Sequence, residues 1–264
     1  MSSDSSHHRA GIIADTAYRQ YEKRLLKEVL QNRAPEHVAI IMDGNRRFAR
    51  ELGLGPEEGH KEGRNKLEEM LNWAMEVGVK ILTVYAFSSE NLNRTEEEID
   101  ELMKLFEESF YRAAEDERVH RHQIQIRVLG MVEILPEKVR KAIKQAEDRT
   151  KGYDRYHLNL AIAYSGREEI IQAIREIAGR VKSGKIEVGQ IDEKMFSQHL
   201  YTKEFPDPDL ILRTSGEVRV SNFLLWQLAY SELYFVDVCW PGFRKIDFLR
   251  AIRSYQQRAR RYGK

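Results

Sequence analysis

The sequence predicts an α/β fold, a parallel sheet whose strands are covered by helices on both faces. Three observations carry this expectation. Six short runs rich in Val, Ile, Leu and aromatic residues are bounded by Gly, Ser or Pro: HVAIIMDG, ILTVYAFSS, IQIRVLG, LNLAIAYSG, DLILRTSG and LYFVDVCW. Such runs read as buried strands. Helical apolar stripes lie between most of them, and the ends of the runs gather Gly, Ser and Arg.

Residues 1–35 precede the first run. Tyr18, Tyr21, Leu25, Val29 and Leu30 give them a weak helical stripe, which predicts a short helix in an N-terminal extension. Residues 36–264 then form one domain, since 264 residues suffice for a single sizeable core. HVAIIMDG is the first strand and leads straight into Asp43-Gly44-Asn45-Arg46-Arg47. Leu67, Met70, Leu71, Ala74 and Val77 mark the next helix. ILTVYAFSS is the second strand and ends in Ser88-Ser89-Glu90-Asn91; Ile99, Leu102, Leu105, Phe106 and Phe110 mark the helix beyond it. IQIRVLG and LNLAIAYSG follow, the latter ending in Ser165-Gly166-Arg167. Ile170, Ile171, Ile174 and Ile177 mark a third helix, and the glycines and polarity of VKSGKIEVGQ mark a surface loop. DLILRTSG ends in Arg213-Thr214-Ser215-Gly216-Glu217, and LYFVDVCW is the last strand.

Composition narrows the function. A net charge of +1 exerts no global pull on nucleic acid or membrane, so no nucleic-acid partner is expected. Basic residues crowd positions 244–264 around a lone Asp247, a pattern that suits a solvated helix face as well as a functional tail. Cys239 is the only cysteine, which excludes an internal disulfide or a thiolate-rich zinc site and fits the cytoplasm. The N-terminus lacks the apolar core of a signal peptide. No run approaches the roughly 20 apolar residues of a membrane span; the best, FLLWQLAYSELYFVDVCW, is broken by Gln227, Glu232 and Asp237. The expectation is a soluble cytoplasmic protein with room for peripheral membrane contact.

Ligands of open α/β sheets gather at the carboxyl ends of the strands. There this sequence supplies an anion site with a carboxylate in it. Gly44 lets the backbone turn close to a ligand, a helix starting at Asn45 would aim N–H groups at it, and Arg46 and Arg47 suit phosphate oxygens. Asp43 would repel a bare phosphate. It makes sense beside one if a divalent cation intervenes, because Mg²⁺ commonly takes one or two carboxylates plus substrate phosphates; a helix N-cap is the alternative role. Arg94, Arg213 and Arg219, in or near other strand-end turns, exceed the needs of one phosphate and point to two anionic groups. His120 and His122 lack partner carboxylates at ligand spacing, and KSGK at Lys182–Lys185 is not a full phosphate loop.

The segments HVAIIMDGNRRFA, GHKEG, TVYAFSSENLNR, LNLAIAYSGREEI and DLILRTSGEVRVSNFLLWQLAYSELYF, in this order, resemble the cis-prenyltransferases, the undecaprenyl and dehydrodolichyl diphosphate synthases. The resemblance runs from His37 to the terminal RRYG. It implies a six-stranded parallel sheet, an apolar tunnel between helices and sheet, a homodimer or heterodimer, and Mg²⁺. It implies head-to-tail condensation of isopentenyl diphosphate onto an allylic diphosphate with a new Z double bond. Position by position it implies Asp43 as metal ligand and Gly44, Asn45, Arg46, Arg47, His60 and Arg94 around the allylic diphosphate, with Phe48, Ser88, Ser89, Glu90 and Leu92 on the same side. Arg213, Arg219, Val220 and Ser221 match the isopentenyl diphosphate side, and Glu232 matches a second metal carboxylate supplied near the dimer interface. Asn45 and Asn91 join Asp43 as catalytic candidates. Asn91 matches a residue often assigned as proton acceptor, although a neutral amide is a poor base and is better suited to orienting substrate. Arg261 and Gly263 match an R-x-G element that reaches a partner's site.

Three positions depart from the bacterial pattern. Arg46 gives an archaeal or eukaryotic DGNRR in place of a usual glycine, and Phe48 and Leu92 replace larger aromatics. Pro56 is more consequential, because it stands where the family carries a second arginine for the allylic diphosphate. Arg46 is expected to compensate in part; a changed allylic preference is the alternative. The functions open on sequence are therefore a catalytic polyprenyl diphosphate synthase, a non-catalytic scaffolding subunit of a heteromeric enzyme, and a relative with an unusual acceptor.

Overall fold

The computed structural model describes residues 18–259. All six predicted strands form, as β1 (His37–Ile41), β2 (Ile81–Ser88), β3 (Ile124–Leu129), β4 (Tyr156–Tyr164), β5 (Leu210–Arg213) and β6 (Glu232–Phe235). They make one sheet in the order β3-β4-β2-β1-β5-β6, every pair parallel. The strand order turns around β1, which has β2 on one side and β5 on the other. That is the switch point at which α/β sheets open a crevice beyond their carboxyl ends.

Alternation along β1 feeds the two faces of the sheet. Val38 and Ile40 point into the larger core, Ala39 and Ile41 into a smaller one. The larger core receives Leu25 and Val29 from α1 (described over 18–30), Met70 and Ala74 from α3 (Pro56–Val77), and Leu102 and Phe110 from α4 (Glu96–Glu115). It also takes Val139 and Ile143 from α6 (Glu137–Thr150) and Phe248 and Ile252 from α9 (Lys245–Ala259). The short α2 (Asn45–Glu51) and α5 (Glu117–His122) flank α3 and α4 in sequence. The opposite face of the sheet is covered by Phe223 and Leu224, with α7 (Gly166–Lys182) and α8 (Glu193–Ser197) in a satellite cluster around Trp226.

Two expectations need adjusting. The helix ahead of the sheet is packed into the main core rather than merely appended: Gln256 of α9 donates to the Val29 carbonyl at 2.9 Å. In α7 the buried face is Ala173 and Ile177, whereas Ile171 and Ile174 are exposed. The predicted isoleucine stripe thus identified the helix, with Ile170 and Ile177 on its packed face and Ile171 and Ile174 off it. His120 bonds Tyr153 and the Ala114 carbonyl, each at 2.9 Å, in a structural role.

Candidate active site

β1 ends beneath a basin of about 740 Å³. Asp43, Gly44, Asn45, Arg46, Arg47, His60, Ser88, Glu90, Asn91, Arg94, Arg213, Arg219 and Ser221 line it together, although they lie in five separate stretches of sequence. Five predicted residues fall outside, Glu232 among them. Phe48 lies against Gly242, Leu92 faces solvent, Val220 packs beneath the Phe223 cluster, and the Ser89 hydroxyl bonds Glu90. Arg261 and Gly263 lie outside the described residues. Glu232 does not meet Asp43 within one chain. It pairs with Leu210 at the start of β6, three residue steps before Arg213, or roughly 10 Å of strand, and it holds Arg258 at 3.1 Å.

The turn after β1 has little freedom. Gly44 has φ +103°, and a Cβ there would lie 2.9 Å from the Cα, Cβ and Sγ of Cys239, so both conformation and space demand glycine. Thr214 pins the neighbouring peptide: the Asp43 N–H donates to its hydroxyl at 2.9 Å and its hydroxyl donates to the Asp43 carbonyl at 2.7 Å. Trp240 N–H donates to that carbonyl as well, at 2.9 Å. Behind the turn, α2 sits directly on α3. A Cβ on Gly59 would come within 2.4 Å of the Asn45 carbonyl and one on Gly63 within 2.6 Å of Asn45 Oδ1. The two glycines of GHKEG are therefore a docking face for α2.

The charges form two groups. In the first, Arg213 is buried, donating to Asp43 Oδ2 at 2.7 Å, to the Arg219 carbonyl at 2.6 Å and to Ser221 Oγ at 2.7 Å. It ties the Arg219–Ser221 segment to Asp43 instead of projecting freely. Burial raises the Asp43 carboxyl, but hydrogen bonds from Arg213 and Ser215 outweigh it, so the group lies below its ordinary value and is ionised at neutral pH. Arg219 is paired with Glu217 at 2.6 Å, and Arg47 donates to the Ser215 carbonyl and to Cys239 Sγ.

The second group centres on Glu98 in the first turn of α4. Its carboxylate meets Arg94 at 2.7 Å, His60 at 3.3 Å and Arg46 at 3.3 Å. Burial raises this carboxyl, yet the cations win and the net direction is down. His60 is held below its ordinary value, by burial first and by the nearby arginines, against the pull of Glu98. Pro56 is the first residue of α3, capped by Gly55 and followed by Glu57 and Glu58. It starts the helix, as proline at this position does, and does not line the basin. Asn91 accepts the Ser88 N–H at 3.0 Å through Oδ1, which leaves its amide as a donor.

Sequence reasoning missed Glu98, Arg50 and Asn222. Arg50 lines the basin; its signal is a place one turn after Arg46 and Arg47. Glu98 is hidden in the acidic run Glu96-Glu97-Glu98, which reads as ordinary helix-start charge.

Beyond the basin lies an apolar slot of about 120 Å³ between α3, α4 and the sheet, lined by Leu67, Leu71, Phe106, Phe110, Ile126 and Leu158 among others. Phe87 lines the basin and packs edge-on to Phe106 of the slot, 6.0 Å between centroids, so the two cavities meet at this pair. Leu102 lines the basin one turn before Phe106.

A parallel α/β sheet that presents a carboxylate and several arginines at its switch point, next to an apolar slot, frames an enzyme for a substrate with an anionic head and an apolar body. The chain belongs to the family described as putative undecaprenyl diphosphate synthase, whose pattern matches residues 41–263. It is 58% identical over 247 residues to the tritrans,polycis-undecaprenyl-diphosphate synthase (geranylgeranyl-diphosphate specific) of Methanopyrus kandleri, covering 94% of this chain and 91% of the relative. It is 54% identical over 255 residues to the protein of that name from Thermoplasma volcanium, covering 97% and 99%. Its fold matches the crystal structure of lavandulyl diphosphate synthase from Lavandula x intermedia in complex with dimethylallyl diphosphate, with a TM-score of 0.80 and 39% identity over 84% of this chain and 95% of that one. The protein is a cis-prenyltransferase, an enzyme that condenses isopentenyl diphosphate onto an allylic diphosphate.

Proposed function

We propose that the chain elongates geranylgeranyl diphosphate with isopentenyl diphosphate to a long polyprenyl diphosphate, using Mg²⁺ at Asp43. The observation that carries this reading is the ionised, half-buried Asp43 at the floor of an arginine-lined basin that adjoins an apolar slot. The starter follows the names of the relatives. Among the described residues no cluster of three or more His, Cys, Asp or Glu side chains could hold an ion alone. The single Asp43 carboxylate among arginines fits Mg²⁺, which takes one or two carboxylates and completes its shell with phosphates and water. Held by Asp43, Mg²⁺ would supply positive charge against the developing pyrophosphate.

The residues divide the remaining work. Arg46, Arg47, Arg94 and His60 cradle the allylic diphosphate and stabilise the charge that grows as its C1–O bond breaks, the preorganised electrostatics that dominate such steps. Asn91, with its oxygen committed to Ser88, donates to a phosphate oxygen and does not act as a base. Arg219 and Ser221, placed by Arg213, hold isopentenyl diphosphate so that its double bond faces C1, which removes most of the entropic barrier to attack. The slot takes the growing hydrocarbon. Two copies associate, each supplying Glu232, Arg261 and Gly263 toward the partner's basin. Among the described residues no helix is long and apolar enough to cross a membrane; the lipid product draws the enzyme to the membrane surface.

The deciding assay incubates purified protein and Mg²⁺ with labelled isopentenyl diphosphate and, in turn, dimethylallyl, farnesyl or geranylgeranyl diphosphate, and sizes the products. Geranylgeranyl diphosphate should give the highest kcat/KM, and Asp43→Ala should abolish turnover with the fold intact. Absence of elongation from every starter would refute the reading.

A further inference from the structure

We infer that Asn222 is a positioning residue that locks the isopentenyl-side segment to the turn bearing Glu90, so that the two halves of the basin keep a fixed separation. The inference rests on the prenyl-transfer reading for its kinetic consequences and on geometry alone for the lock.

The Asn222 side chain bridges two segments remote in sequence, the turn bearing Glu90 and the start of α7. Its Nδ2 donates to Glu90 Oε1, in the turn after β2, at 3.0 Å and to Ser165 Oγ, after β4, at 2.9 Å. Its Oδ1 accepts the Arg167 N–H at 2.9 Å, and its backbone carbonyl accepts the Gly166 N–H at 2.8 Å. The fit is tight, since a Cβ on Gly166 would lie 2.8 Å from the Asn222 carbonyl. The residue is held at φ +64°, in the left-handed region that asparagine tolerates better than most side chains.

Its two neighbours in sequence transmit the placement. Ser221 accepts from Arg213, which in turn holds Asp43. Phe223 is fully buried and stacks on Tyr85 of β2 with centroids 4.6 Å apart. A shift of Asn222 therefore moves Ser221 against Asp43 and frees Glu90, on the two sides of one basin. Glu90 shows the same linkage electrostatically: burial raises its carboxyl, but the Asn222 amide and the turn's own hydrogen bonds bring it below the ordinary value. The chemistry asks for such a lock, because a misplacement of about 1 Å between reacting groups can cost on the order of a hundredfold in rate.

Two variants test the inference. Asn222→Gly keeps the left-handed backbone and the carbonyl facing Gly166, and removes only the side chain. Hydrogen exchange should quicken by about tenfold or more in the peptides spanning 88–94 and 165–169, both remote in sequence, because each loses a partner that suppressed local opening. In the same variant kcat should fall by roughly 10–100-fold while the KM for isopentenyl diphosphate moves much less.

Asn222→Asp sets a carboxylate against Glu90. Two carboxylates at about 3 Å repel and raise the pKa of one of them, so the variant's activity relative to wild type should climb as the pH falls from about 8 to about 6 and one proton restores the hydrogen bond. A purely structural asparagine would not give that profile. Exchange confined to residues 215–225, or pH profiles that superimpose with kcat within threefold of wild type, would overturn the inference. If wild-type protein elongates no starter, the functional reading fails, and the exchange data still decide the lock.

Discussion

Arg46, His60 and Arg94 come from three separate segments, and Glu98 touches all of them. We propose that this carboxylate, by gathering Arg46 beside Arg94, offsets the lack of a basic residue at position 56. Pro56 opens α3 and faces solvent, while Glu98 draws the exposed Arg46 toward Arg94. Arg46→Gly should then raise the KM for the allylic diphosphate roughly 10–100-fold, the loss of one charged hydrogen bond of about 1.5–3 kcal/mol. A normal Michaelis constant in a steady-state assay would remove Arg46 from the site. At this scale the sequence was legible wherever a residue type carries its own chemistry, as Asp43 and the arginines do. It was illegible for Glu98 and Asn222, whose meaning lies in partners up to 132 residues away.

The helices show a comparable division. α2 and α3 meet through Gly59 and Gly63, which GHKEG announces only as a motif, without the Asn45 backbone that fills the gap. α4 does two jobs along its length: its first turn organises the basin through Glu98, and Leu102, Phe106 and Phe110 run from basin to slot. The slot holds about 120 Å³, against about 740 Å³ for the basin. On the proposed reading a polyprenyl tail would have to displace its wall. Phe106→Ala should lengthen the products resolved by chromatography, whereas Leu102→Ala, nearer the reacting centre, should do so less. Unchanged lengths in folded variants would reject α4 as the wall. The α4 stripe could be read from periodicity because its buried residues are nearly all apolar. The α7 stripe misled at Ile171 and Ile174 because isoleucine on an exposed face looks the same in sequence as isoleucine in a core.

Across the whole molecule, a polar line crosses the sheet beneath the site. Asn159 of β4 donates to Thr83 of β2 at 3.1 Å, Thr83 meets His37 of β1 at 2.7 Å, and His37 Nδ1 meets the Pro206 carbonyl at 2.7 Å. Burial depresses the His37 imidazole to about 4 from its usual 6.5, so the native state keeps it neutral while the unfolded chain takes up a proton. Its contribution to stability is intact above pH 6.5 and is lost as the pH falls toward 4, on the order of 3 kcal/mol in full. Urea titrations across that window should show the decline, and His37→Gln should flatten its share. The six strands and the parallel sheet were legible because each strand is a compact apolar run with turn residues at its ends. This buried network was not, since polar residues inside strands resemble solvent-facing ones. The loop beyond β5 raises a different matter. Of the non-glycine residues described with positive φ, Ser215, Ser221, Asn222 and Leu224 all fall within ten positions of one another. Each such residue costs about 1–3 kcal/mol unless its surroundings compensate. Among the described residues the least relaxed backbone is therefore the loop beside the basin, and on the proposed reading substitutions that ease it in pursuit of heat resistance would trade away turnover.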